Sequence, residues 1–467
     1  MPYNLNINDE LISQKGKKIK ILKMIDDNGG QGIVYLVDYD GEQKILKWYK
    51  RVYLEQLKRH LPLRYDANGR QKHAADPKQP NERTVSLEKA FYDNLCKNAF
   101  SRNGDLSPRF IWPQDVTPWS PEDDGSFGYI MERIPTDIYT KFEKYLVFKK
   151  DFPSREIRLT ACLNIVKEFE NLHNAGYSYQ DINAGNIYIR SDTGDILIAD
   201  TDNISVNGLN FGMGGTDGFK APEIWLGGIP DTSSDLFSLA IVLFRIMMGG
   251  VHPFEGKYSK CNEAFISQGK DPVFIFDRKD KRNAPQADMH RNAMISWPQY
   301  PAYIHELFQK AFSHDTVHDT EARPLEINWI RSLIRLRGEI AECPLCGAPL
   351  FASAGEQVEC LCCEEEVTAT TGRISFGRQT IPLTENKTVY ECQINGSCRE
   401  FDRPLLKLIT EDTDEGYQYR LVNLSPRDTW TVTYPNGVKR SVKGGQKADF
   451  VSGMSLRIGR KTGIVSG

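Results

Sequence analysis

The sequence predicts an α+β chain built as two lobes, followed by a small cysteine-stapled element and an all-β module. Three observations carry this prediction. Residues 18–50 alternate apolar and polar positions around a glycine-rich turn, and residues before 338 carry helical apolar repeats. After residue 372 the chain returns to short alternating runs broken by Gly, Asn and Pro turns. At 467 residues it is also too long for one ordinary core. Four segments are distinguished: 1–135, β-rich at its start with a basic stretch at 50–83; 136–338, mainly helical; 339–371, the cysteine element; and 372–467, the all-β module.

Composition narrows the function classes. A net charge of −3 with a 40% apolar fraction gives no basic excess for nucleic acid and no bias toward a membrane surface. No run approaches the roughly 18 apolar residues of a spanning helix. The start, M-P-Y-N-L-N-I-N, lacks the basic and apolar stretches of a signal peptide, so a soluble cytoplasmic protein is expected. Of ten cysteines, five fall between Cys343 and Cys363, while Cys96, Cys162 and Cys261 are scattered. That pattern fits reduced thiols and one metal site.

In the first lobe K-I-L-K-M-I, D-D-N-G-G-Q-G, I-V-Y-L-V-D-Y and Q-K-I-L-K-W-Y read as strand, Gly-rich turn, strand, strand. Glycines in such a turn let backbone amides approach phosphates that a Cβ would keep away, although a plain hairpin has the same look. Lys47 lies on an otherwise apolar strand, where an ammonium is costly without an anionic partner. Glu88, opening L-E-K-A-F-Y-D-N-L-C, is the expected partner, with Glu82 the alternative. The intervening insertion carries nine Lys or Arg against four Asp or Glu, with Pro62, Pro77 and Pro80. It is either a steering surface near the site mouth or a solvated loop.

The stretch Y-Q-D-I-N-A-G-N, Tyr179 to Asn186, precedes two apolar runs and then Asp200. Two carboxylates on adjacent loops, with Asn186 between them, can hold a hydroxyl nucleophile and a divalent metal; a surface turn rich in Asp and Asn is the plainer reading.

In order and spacing these stretches resemble the motifs of protein kinases, from residue 18 to about 335, and the resemblance implies the bilobal protein-kinase fold. It also implies roles. Gly29, Gly30 and Gly32 belong to the loop over the phosphates of ATP, with Asp27 departing from the first glycine position, and Val34 covers adenine. Lys47, paired with Glu88, holds the phosphates. Residues 127–134, F-G-Y-I-M-E-R-I, resemble the inter-lobe hinge, with Met131 as gatekeeper and backbone groups of Glu132 and Ile134 facing adenine. Asp181 is the implied catalytic base, and Asn186 and Asp200 the implied ligands of Mg2+ (or Mn2+). G-G-T-D-G-F-K-A-P-E-I resembles the end of an activation segment, with Thr216 bonded to the base and Glu223 paired with Arg323. Asp235 of D-L-F-S-L-A would tie down the catalytic-loop backbone.

Departures modify these expectations. Gln180 replaces an arginine that commonly pairs with a phosphorylated activation loop, so activity should not require that phosphorylation. Asn183 replaces a lysine that contacts the γ-phosphate, which predicts a modest rate. Thr201 and Asp202 follow Asp200 in place of Phe and Gly, arguing against regulation by loop flipping. Asp202 either brings a second carboxylate toward the metal or caps a turn.

Cys343, Cys346, Cys360 and Cys363 form two C-x-x-C pairs thirteen residues apart, the spacing of a structural four-cysteine Zn2+ ribbon, and Cys362 could stand in for Cys363. In the all-β module the opening F-G-R is similar to forkhead-associated domains, but the S-x-x-H signature is absent, so partner docking is expected ahead of phosphopeptide reading. The chain as a whole resembles bacterial eukaryotic-like (Hanks-type) Ser/Thr kinases with a C-terminal zinc ribbon. These are encoded beside PP2C phosphatases and von Willebrand A proteins in tellurium-resistance-like operons, which implies both as partners in addition to a protein substrate. The expected activity is γ-phosphoryl transfer from ATP to Ser/Thr hydroxyls, autophosphorylation included. The alternative is a nucleotide-binding pseudokinase scaffold that recruits partners through its C-terminal modules. The changes at Asp27, Gln180, Asn183 and Thr201 favour it, and the joint retention of Lys47, Asp181, Asn186 and Asp200 opposes it.

Overall fold

The computed structural model describes residues 2–68, 71–72, 78, 81–101, 107–122, 125–258, 272–353, 355–414 and 416–467. Pro77 and Pro80 of the insertion, and Cys261, lie outside these residues.

The first lobe is an antiparallel sheet whose spatial order is Glu10–Ile12, Lys18–Asp26, Gly32–Tyr39, Glu42–Tyr49, Gly128–Met131 and Asp115–Val116. Alternation along the strand decides what reaches the cleft. On Glu42–Tyr49, Leu46 and Trp48 bury into one core with Ile19, Ile21 and Val37, whereas Ile45 and Tyr49 bury into the opposite one with Phe91, Leu95 and Tyr129. Lys47 therefore projects on the second side.

That second side is covered by helix α1 (Arg51–Arg59) and helix α2 (Leu87–Phe100). α2 starts where it does because Ser86 caps it, its side chain accepting the Lys89 amide. The basic insertion is thus no plain loop. It contributes α1, whose Leu54 and Leu57 pack with Leu87 and Phe91, and three short strands, Leu63–Tyr65, Gln71–Lys72 and Arg83–Val85. Arg64 clamps Glu82 through two bonds of 2.8 and 2.9 Å within it.

The helical lobe is built on α3 (Arg155–Asn174), α4 (Thr232–Met247) and α5 (Glu326–Gly338). Ser154 caps α3, and Asp231 with Ser234 forms a reciprocal capping box on α4. α4 is apolar on nearly every side because it runs through the core, where its Phe237 and Phe244 meet Phe254, Phe274, Phe308 and Phe312. A β-hairpin, Ile187–Arg190 with Ile196–Ile198, rises from this lobe and places Asp200 at its end.

The C-terminal region is β-rich. Two small hairpins, Ile340–Glu342 with Pro349–Phe351 and Val358–Glu359 with Glu366–Val367, carry the four cysteines. A sandwich follows, with six strands in the order 379–383, 372–376, 461–466, 455–458, 430–433, 439–442 facing four in the order 388–390, 404–413, 416–423, 447–449. Its core gathers Ile374, Leu406, Leu421, Trp430, Val432 and Leu456. The region is seated on the helical lobe. Arg399 clamps Glu170 of α3 at 2.7 and 3.0 Å, Tyr390 donates to Glu156 at 2.7 Å, and Arg337 of α5 bonds both Thr160 and the Phe401 carbonyl. Among the described residues no helix is long and apolar enough to cross a membrane.

Candidate active site

Between the lobes, the loop Tyr179 to Asn186 is held by α3 and α4. Asp235, in the first turn of α4, accepts the amides of Tyr179 at 2.6 Å and Gln180 at 2.9 Å, as its motif suggested. His173, at the end of α3, bridges Asp235 and Glu326. Burial works against the imidazolium, but those two carboxylates outweigh it and raise His173 to about 9. Gln180 sits in the left-handed region at φ 70°. Its side chain donates to Ser205 at 2.8 Å and to the Leu209 carbonyl at 2.5 Å, and accepts from Asn210 at 2.9 Å. The Gln180 side chain is thus held by uncharged groups alone.

Asp181 lies in a ring of donors. Thr216 donates to its Oδ1 at 2.6 Å and Asn186 to its Oδ2 at 3.2 Å. Asn183 donates to the Asp181 carbonyl at 3.0 Å and to Thr216 Oγ1 at 3.0 Å, so it buttresses Asp181. Burial pushes Asp181 up to about 6 with Asp200 adding to the rise, against the bonds from Thr216, Asn183 and Asn186.

Asp200 has φ 49°, a second non-glycine residue in the left-handed region beside the cleft. The turn after it, Thr201–Asn203, is anchored on three sides. Thr201 donates to the Ile111 carbonyl at 2.6 Å, and Asn94 and Asn98 of α2 donate to the Ile204 carbonyl at 2.9 and 2.8 Å.

Lys47 is brought to the same place, but its partners differ from those expected. Its ammonium donates to Asp202 at 3.0 Å, Gln31 at 3.2 Å and Asp200 at 3.3 Å. Burial disfavours its charge, yet Asp200 and Asp202 hold it well above the usual lysine range. Glu88 is not its partner. Glu88 lies 3.7 Å from Lys58 of α1, burial raises its carboxyl above the usual range, and its Oε1 accepts no hydrogen bond. The cause is the insertion, which supplies a nearer cation. Glu82, the alternative, is taken by Arg64.

The Gly-rich turn is held by Lys50, which donates to the carbonyls of Asp27 and Gly29. A Cβ on Gly32 would stand 2.9 Å from the Trp48 carbonyl, so glycine there serves strand pairing as well as loop access. Gly30 has open space where a Cβ would stand. Val34 pairs with Lys47 across the sheet, and Met131 with Ile45. Glu132 is engaged by Lys44 and by Gln114 at 2.8 Å, and Ile134 packs at the edge of the first-lobe core. At the segment's end Arg323 grips Glu223 with two bonds of 2.7 Å and also donates to the Ser233 carbonyl.

Sequence reasoning missed Tyr49, Gln31, His173 and the Asn94 and Asn98 pair. Tyr49 donates to Asp202 at 2.6 Å, and strand alternation from Lys47 would have found it. The others carry no local signal.

In the cysteine element all four Sγ atoms, of Cys343, Cys346, Cys360 and Cys363, lie within 4.8 Å of one another. Cys362 is exposed and outside the cluster. Four thiols on two knuckles fit a tetrahedral Zn2+.

Residues 121–315 match the protein kinase domain family. The chain is 25% identical over 309 residues to protein kinase YegI of Escherichia coli O157:H7, covering 62% of this chain and 45% of the relative. It is 24% identical over 271 residues to protein kinase YegI of E. coli K12, covering 54% and 40%. The chain thus spans under half the length of these two relatives. Among solved structures, the Mycobacterium tuberculosis PknI kinase domain aligns at 15% identity with a TM-score of 0.42, covering 71% of this chain and 98% of that one. The chain carries a protein kinase domain and is similar to bacterial protein kinases.

Proposed function

We propose that the chain is an ATP- and Mg2+-dependent protein kinase that phosphorylates Ser/Thr hydroxyls of a protein substrate, itself included. The observation that carries this reading is the convergence of Asp181, Asn186, Asp200 and Lys47 in one cleft between the sheet and the helical lobe. Asp181, oriented by Thr216 and Asn186, accepts the proton of the attacking hydroxyl. Lys47 offers its ammonium to the phosphates of ATP. Asn186 and Asp200 are the residues that would hold Mg2+ or Mn2+, which supplies charge neutralisation across the phosphates. Asn183 brings no positive charge to the transferring group, which keeps the rate modest.

The four thiolates would hold a structural Zn2+. Family resemblance extends the reading to a cytoplasmic signalling protein with a PP2C-type phosphatase and a von Willebrand A protein as partners. The test is transfer of labelled γ-phosphate to generic protein substrates and to the chain itself. We expect label in the wild type and a fall of ~10²-fold or more in Asp181→Asn and Asp200→Ala.

One observation favours the scaffold reading, namely that Gln31 and two aspartates already saturate Lys47. Metal-dependent ATP binding with no transfer to any substrate would select it.

A further inference from the structure

We propose that Asp202 is the residue that positions Lys47, taking the part that the sequence motifs assign to Glu88. The inference rests on the phosphoryl-transfer reading above and concerns how that site is held together.

Lys47 is 5% exposed, so its ammonium needs a fixed anion. Of the two carboxylates that reach it, Asp200 has a side chain 40% exposed to the cleft, where it is available to a metal. Asp202 is fully buried and faces away from solvent. Its Oδ2 receives Lys47 at 3.0 Å and the Tyr49 hydroxyl at 2.6 Å. Residues 47 and 49 stand on one face of one strand, so a single carboxylate gathers two neighbouring side chains of the small lobe. Its backbone is equally constrained, because the turn Thr201–Asn203 is tied to Ile111 and, through the Ile204 carbonyl, to Asn94 and Asn98 of α2. In this arrangement α2 reports its position through two asparagine amides and a turn. Its glutamate, held beside Lys58 of the insertion, is outside the site.

Asp202 acts through Lys47, so a double-mutant cycle on ATP affinity, measured calorimetrically on the full chain with Mg2+, tests it without requiring turnover. We expect Asp202→Asn to weaken ATP binding about tenfold in the wild-type background and less than about threefold in Lys47→Met, with Glu88→Gln within about threefold in both. Transfer kinetics should show the same loss mainly in KM for ATP. Tyr49→Phe, which keeps the carboxylate and frees one of its anchors, should give a smaller loss that also vanishes in Lys47→Met. It serves as the decisive variant if Asp202→Asn does not fold. Additive losses from Asp202→Asn and Lys47→Met, or a loss from Glu88→Gln that disappears in Lys47→Met, overturn this inference alone when the wild type binds ATP. A wild type with no affinity for ATP overturns it together with the proposed function.

Discussion

At the scale of single residues, the cleft shows how non-local the assignment of a partner is. Lys47 and Glu88 were both legible, one as a cation on an apolar strand and the other as the first acidic residue of an amphipathic helix. Their pairing was not, because Lys58 arrives from an insertion whose helical packing had to be known first. Gln31 is a further residue-scale feature, since its amide oxygen occupies one donor direction of Lys47 at 3.2 Å. Gln31→Ala should free that donor and tighten ATP binding by about two- to fivefold, read by calorimetry. His173 gives a pH dependence. Its folded value of about 9 exceeds the ordinary 6.5, so the imidazolium stabilises the fold fully below pH 6.5, and this contribution is lost as pH rises through about 9. The stability difference between wild type and His173→Gln, from urea unfolding, should therefore be largest near pH 6 and shrink above pH 9.

At the scale of elements, strands and long helices were readable because their signals are local: alternation around Lys47 and the helical apolar repeats before residue 338, while the caps at Ser86, Ser154 and Asp231 emerged only in the structure. The turn Thr201–Asn203 was not, since D-T-D-N has no periodicity and its geometry is set by bonds to Ile111 and α2. Those bonds make a prediction. Asn94→Ala together with Asn98→Ala leaves the buried Ile204 carbonyl without these two donors and should cost ~1–3 kcal/mol of unfolding free energy, with a parallel loss of ATP affinity. The cysteine element makes another. The hairpin of Val358–Glu359 with Glu366–Val367 rests on a small core of Ala341, Leu350, Ala352 and Val367 beside the thiol cluster, whereas the first hairpin also buries Phe351 in the helical lobe. Cys343→Ser, or a strong chelator, should release about one equivalent of zinc to a colorimetric indicator and lower Tm.

For the whole molecule, the contacts between the β-rich region and the helical lobe matter most. Phe351, Cys392 and Phe401 belong to the same buried cluster as Phe169, Leu333 and Leu336 of α3 and α5. The buried Arg337 guanidinium reaches into this seam, and Arg399 closes its rim on Glu170. No sequence pattern announced this seam, because each side satisfies its own periodicity and the shared apolar faces meet only in three dimensions. A chain ending at residue 338 would leave that face of α3 and α5 open to water. It should unfold several degrees below the full chain and aggregate more readily, as scanning calorimetry would show.

The continuity of that buried cluster also bears on descent. Modules joined by a slack tether can be shuffled between genes one at a time, each arriving ready to work. Here the lobe and its β-rich neighbour complete one another's interior, so a recombination event at their junction would deliver two halves with mismatched faces. The pair is expected to travel, and to accumulate substitutions, as one hereditary unit.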